Sequence, residues 1–180
     1  MSETIRRFRE SEILLGQAIK GGNNSIIVYT NLRAFVESAR SITWIMQKEF
    51  SHNINFTAWY REKQEEMKKD ELMKFFLELR NASVKVKAIG SAVRIEGSFG
   101  PIPPGETIIP IGRIDEGGNL VIENGPVTNG KGNVIEGVKS QTKMVYFFET
   151  KPEADAIELC VSYLGKIKII IDECIQKFVL

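Results

Sequence analysis

NLRAFVESARSITWIMQKEF, Asn31 to Phe50, sets Leu32, Phe35, Val36, Ala39, Ile42, Thr43, Met46 and Phe50 at alternating steps of three and four. That is the spacing of one face of an α-helix, and its length is too great for a strand. The preceding SIIVYT, Ser25 to Thr30, is β-branched and reads as an extension of the same helix toward its N-terminus. Upstream, Ser2 to about Lys20 is helical, with Ile5, Phe8, Leu15 and Ile19 on one face and a break expected around Ser11. Gly21, Gly22, Asn23 and Asn24 make a turn.

Downstream, Ser51, His52 and Asn53 punctuate the pattern. Asn55 to Lys69 carries Trp59, Tyr60, Gln64 and Met67 opposite a charged face. Asp70 is placed to cap a further helix through Leu72, Phe75, Phe76 and Leu79 to Arg80, or to kink a single long one. The grammar changes after Asn81. Val84, Val86, Ala92, Val93, Ile95, Phe99, Ile108, Ile109 and Ile111 are interleaved with glycine and proline, and all 6 prolines lie beyond residue 100. Arg113 to Ile122 reads as a hairpin around Gly117-Gly118. Asn124 to Gly137 reads as a long glycine-rich loop, and Lys143 to Glu149 as a strand. Pro152 stands where a last helix would start, with Ala156, Cys160, Tyr163, Ile167, Ile170, Ile171, Cys174 and Phe178 along its apolar stripe. The fold expected is α+β and mainly helical: a helical bundle with a small antiparallel β-sheet inserted before a long C-terminal helix. One domain is expected over 1–180, with the bundle in 1–82, the β-rich insertion in 83–150 and the closing helix in 152–180. No internal repeat or sustained heptad pattern is present.

A hydrophobic content of 43% and a charged content of 26% suit a globular core. A net charge of +1 excludes a broadly basic nucleic-acid binder but leaves room for a local basic patch. No apolar run is long enough to span a bilayer, and MSETIRRFRE lacks the apolar stretch of a signal peptide. No membrane association is therefore expected. Cys160 and Cys174 fall roughly 21 Å apart on one helix, too far to bridge. A reducing, cytoplasmic setting follows.

The chain has a single histidine, His52, in a polar turn, which argues against a zinc site or a hydrolytic triad. No metal and no cofactor is expected. GPVTNGKG, Gly125 to Gly132, approaches a phosphate-binding loop. It departs where Gly132 replaces a hydroxyl and where NVIEGVKS, Asn133 to Ser140, fails to read as a helix. The acid pairs Glu65-Glu66, Asp70-Glu71 and Asp115-Glu116 read as solvated faces and turn tips. Trp44, Phe50, Phe56, Trp59, Tyr60, Phe75 and Phe76 cluster in the helical half, at the spacing of buried faces.

AFVESARSITWIMQKEF (Ala34–Phe50), FTAWYREKQEEM (Phe56–Met67) and DELMKFFLELRN (Asp70–Asn81) together resemble the HEPN family of helical bundles. The resemblance covers roughly residues 30–85 and does not account for the β-rich part. It implies a symmetric homodimer. In active members it implies a ribonuclease site made of an arginine followed four to six residues later by a histidine. The arginine holds phosphate charge and the histidine moves a proton. Arg80 and Asn81 match the Arg-Asn of that motif, while the histidine position holds Lys85, Val86 or Lys87. A lysine holds phosphate as a point charge but is a poor proton carrier unless deeply buried. Glu37 and Arg40, one turn apart, are placed to support Arg80, Glu37 as its acid.

Three functions follow from this. The first is a non-catalytic HEPN-like protein acting through an interface or binding RNA or another ligand, with Arg80, Asn81, Lys85 and Lys87 on phosphate. The second is a toxin-like ribonuclease with an altered site. The third is a small-molecule or nucleotide binder whose pocket lies between bundle and sheet, lined by Trp44, Trp59 or Tyr60. The partners expected are a second copy, and a protein or RNA.

Overall fold

The computed structural model describes residues 2–85, 90–99, 108–109, 112–114, 120–122, 126–129, 131 and 133–178. Four helices come first: α1 (Glu3–Gly21), α2 (Ser25–Phe50), α3 (Ile54–Lys69) and α4 (Glu71–Lys85). Six strands follow: β1 (Ser91–Phe99), β2 (Ile108–Ile109), β3 (Gly112–Ile114), β4 (Leu120–Ile122), β5 (Pro126–Asn129) and β6 (Val134–Phe148). Helix α5 (Ala156–Phe178) closes the chain. The protein is α+β and mainly helical, with a small antiparallel sheet ahead of the C-terminal helix.

Side-chain caps decide where the helices start. Asn24 Oδ1 accepts the Ile27 amide at 3.1 Å and Asn53 Oδ1 accepts those of Asn55 and Phe56. Asp70 ends α3 and starts α4, its Oδ1 accepting the Leu72 and Met73 amides at 3.0 Å each. Asp155 does the same for α5, accepting the Ile157 amide at 2.8 Å. The helix therefore begins four residues beyond the expected Pro152, which lies in the turn before it. SIIVYT is the first turn and a half of α2, as the periodicity indicates.

Helix α1 runs unbroken through Ser11. The Ser11 hydroxyl is buried, 3.0 Å from the Arg7 carbonyl and 2.9 Å from the Ser38 hydroxyl of α2. Both hydroxyls are satisfied, so the two helices approach closely here without a polar penalty. The buried face of α1 is Thr4, Ser11, Leu15 and Ala18, and Ile19 points outward. Small residues lie inward, and the larger Ile5 and Ile19 give way to them.

The sheet order is β1-β6-β5-β2, antiparallel throughout, with β3 and β4 as a separate hairpin in the register Arg113↔Val121. The Gly117-Gly118 turn of that hairpin lies outside the described residues. The expected loop over Asn124–Gly137 instead contains β5 and the start of β6, paired Val127↔Ile135 and Thr128↔Val134. The β-branched residues outweigh the glycines between them. NVIEGVKS thus runs almost wholly in a strand, and GPVTNGKG is no phosphate loop, because no helix follows it.

One core joins helices and sheet. Met144, Tyr146 and Phe148 alternate along β6 and enter the same apolar cluster as Phe35, Phe76, Tyr163 and Ile167. The Tyr146 hydroxyl donates to the Gly22 carbonyl at 2.8 Å, and its ring meets Tyr29 edge-on at 5.3 Å. Burial pushes the Tyr146 phenol up to about 12, so it stays a donor. Tyr146→Phe is expected to cost about 1 kcal/mol in urea unfolding, the worth of a typical hydrogen bond.

Candidate functional site

Three helices present one face each to a cavity of about 780 Å³. Helix α2 contributes Glu37, Arg40, Thr43, Trp44 and Gln47; these lie one or two turns apart, as residues on one face must. Helix α3 contributes Tyr60, Gln64, Met67 and Lys68 by the same rule, and α4 contributes Met73, Lys74, Leu77, Arg80 and Asn81. Tyr163 of α5 also lines it, largely buried and stacked on Phe76 with ring centroids 4.1 Å apart.

A polar network runs along the α2 wall. Arg40 Nη1 donates to the Thr43 hydroxyl at 2.8 Å. Gln47 Nε2 donates to the Thr43 carbonyl at 3.2 Å and to the Tyr60 hydroxyl at 3.3 Å. The Tyr60 hydroxyl itself lies 3.5 Å from the Thr43 carbonyl. Burial raises the Tyr60 phenol, opposed by Thr43, the Arg40 charge and Gln47. Burial likewise pushes Tyr163 up to about 12, with Arg40 again opposing. Both hydroxyls are protonated at neutral pH, so they give hydrogen bonds and do not take protons. Arg40 lies within electrostatic reach of both.

The other cations of the site are Arg80, Lys68 and Lys74. Arg80 Nη1 is 3.4 Å from Asn81 Oδ1. Lys68 pairs with Glu65 at 2.6 Å and Lys74 with Glu71 at 2.7 Å, each one turn back along its own helix. Two cross-element ion pairs hold the α3–α4 elbow against α5: Lys63 with Glu173 at 2.9 Å, and Lys166 with Asp70.

Of the residues singled out in the sequence, the structure brings Glu37, Arg40, Trp44, Tyr60, Arg80 and Asn81 to this one cavity. Two expectations need correction, the helix end at Arg80 and Asn81 and the place of Trp59. Arg80 and Asn81 do not end their helix; α4 continues to Lys85. This cavity lies among α2, α3, α4 and α5, with no described residue of the sheet in its lining. Trp59 is turned away from it, 7% exposed, among the rings of Phe56, Tyr60 and Phe178. Its Nε1 is buried without a hydrogen-bond partner among the described residues. Glu37 and Arg80 share the lining of the cavity. Lys85 is the last residue of α4, and Lys87 lies outside the described residues. His52 is exposed in the α2–α3 turn and takes no part in the lining.

Sequence reading missed Gln47, Gln64, Lys68, Lys74 and Tyr163. Gln64 is one turn from Tyr60, and Gln47 one turn from Thr43, so their faces were readable. Tyr163 was read as core, which it also is. No three His, Cys, Asp or Glu side chains converge as metal ligands among the described residues. Among the same residues no helix is long and apolar enough to cross a membrane.

Comparison with curated proteins and with solved structures finds no match to either. A family model does match, over residues 6–96, a span that contains every site residue except Tyr163. As this is just over half of the 180 residues, the chain belongs to the family of bacteriophage lambda protein ea47.

Proposed function

We propose that this protein is a HEPN-like, non-cleaving RNA-binding protein that holds phosphate in the cavity between α2, α3 and α4. The supporting observation is the convergence of Arg40, Arg80 and Asn81 on one concave surface beside the Trp44 indole. A guanidinium offers a planar fork of donors to phosphate oxygens. Arg40 spends one of those donors on Thr43 and keeps the rest for a ligand.

Cleavage is not part of the reading. A 2′-hydroxyl attack needs a proton carrier with a pKa near neutrality. The tyrosine hydroxyls of the cavity are held well above that, and the single histidine is elsewhere. The resemblance to HEPN bundles adds a symmetric dimer to the proposal. Light scattering should give twice the monomer mass, and a monomer at high micromolar concentration would remove the dimer. The two cysteines are buried and unbridged, and burial raises the Cys160 thiol strongly and Cys174 to about 11, which suits a reducing cytoplasm.

The test is anisotropy of a labelled RNA octamer with wild type, Arg40→Ala and Arg80→Ala, with gel analysis of the RNA afterwards. Wild type should bind with an affinity that falls as salt rises. Each substitution should weaken binding about tenfold, the worth of one charge-assisted contact. The RNA should stay intact. Cleavage by wild type that Arg80→Ala abolishes would overturn the non-cleaving reading, and no binding at all would overturn the RNA reading.

A further inference from the structure

The chain has two tryptophans, and the fold treats them in opposite ways. Trp59 is 7% exposed and packs in the core. Trp44 is 60% exposed and stands on the rim of the cavity. A lone exposed apolar side chain needs no explanation in itself. Trp44 differs because a cation stands one turn away on each side of it along α2, while the lining also holds the Glu37 carboxylate. Arg40 lies one turn before it on the same face of α2, about 6 Å back along the axis. Lys48 lies one turn after it, its ammonium 5.5 Å from the indole centroid. One ammonium covers one face of a ring, and the indole has two.

We infer that the groove takes an unpaired nucleotide, its base stacked on Trp44 and its phosphate held by Arg40. This rests on the reading above that the cavity binds RNA phosphate, and it names the form of nucleic acid bound. An aromatic platform beside a cationic groove is the chemistry of single-strand binding, because every base offers a π-face. A base inside a duplex has both faces covered by its neighbours, so it cannot reach the indole. The volume of about 780 Å³ fits a ligand of one or two nucleotides. Leu77 of α4, also in the lining, supplies an apolar edge for the base.

The experiment is a titration of intrinsic tryptophan emission alongside anisotropy. The ligands are an adenosine octamer, the same octamer paired with its complement, and adenosine monophosphate. The proteins are wild type, Trp44→Phe and Trp44→Ala. Trp44 lies outside the core, so both variants keep the fold. The single-stranded octamer should quench wild-type emission and bind at least about tenfold more tightly than the duplex. Trp44→Phe should keep most of the affinity and lose the quench, because only buried Trp59 still emits. Trp44→Ala should lose affinity about ten- to a hundredfold. Quenching by the monophosphate at matching affinity assigns the site to a free nucleotide, and quenching by the octamer alone to a strand; both uphold stacking. Octamer binding with unchanged emission and an unaffected Trp44→Ala would overturn stacking while the RNA reading stands. No binding by any ligand would overturn both.

Discussion

Phe76→Ala should lower the unfolding free energy by about 3–5 kcal/mol in urea titration, the largest effect expected of any single substitution described above. Phe76 is fully buried on α4. It stacks on Tyr163 of α5 at 4.1 Å and meets Phe35 of α2 and Phe148 of β6 edge-on at 6.5 and 6.2 Å. One ring thus touches three other elements, and none can move into its place without leaving the other two. That is the condition for a cavity that does not collapse, and it puts the cost at the upper end of large-to-small changes. A native domain has only about 5–15 kcal/mol in total, so the variant should be partly unfolded at 37 °C. Phe76→Leu should lose much less, because most of the volume remains. The groove should suffer as well, since Tyr163 loses the partner that orients it.

Lowering the pH through the carboxylate range should release α1, and Glu49→Gln should remove most of that pH dependence. Glu49 stands near the end of α2, and its carboxylate accepts the Thr4 amide at 2.9 Å and the Thr4 hydroxyl at 2.6 Å. Burial alone would raise its pKa. The hydrogen bonds from Thr4, Ser2 and the Glu3 amide outweigh burial and hold it below the ordinary glutamate value. A group whose pKa is lower in the folded state contributes stability above its unfolded value of about 4.3. That contribution fades as the pH drops through the folded value, so the window lies below about pH 4.5. The helix dipole adds to it, because a negative charge sits at the start of α1. Glu49 is partly solvated, so the expected loss on Glu49→Gln at pH 7 is about 1–2 kcal/mol, measured by urea unfolding. An unchanged acid limb in the Glu49→Gln titration would show that other carboxylates set it.

Periodicity made α2 and α5 legible, because long amphipathic helices repeat their signal over several turns. Asp70 was legible as a cap for the same local reason. The face of α1 was not, because it is chosen by fit: Ser11 and Ala18 face α2 closely, and size counts there more than hydrophobicity. The β5–β6 pairing was hidden by glycines, since pairing partners are set across the turn and not along the chain. In the site, Arg40, Trp44, Tyr60 and Arg80 were visible as residue types on separate helices. Their convergence was not, for it depends on how α3 and α4 fold back at Asp70. Trp59 shows the same limit from the other side: it neighbours Tyr60 in sequence, yet one step of 100° around the helix turns it into the core.

The pairing of β1 with β6 carries a consequence for how this chain can vary. Ser91 lies opposite Phe148, and the Glu149 amide donates to the Gly90 carbonyl at 3.0 Å. The whole strand segment therefore leaves the helices and rejoins them through one doorway. A side chain at Gly90 would meet the Glu149 carboxylate, which would have to swing aside. Met144, Tyr146 and Phe148 of β6 are mortared into the helical wall, with Val93 of β1 packed against the same core. The strand segment is thus an annexe to the helices, entered and left at one place. No described residue of the sheet lines the cavity, so changes within the annexe should leave α4, α5 and the cavity between them in place.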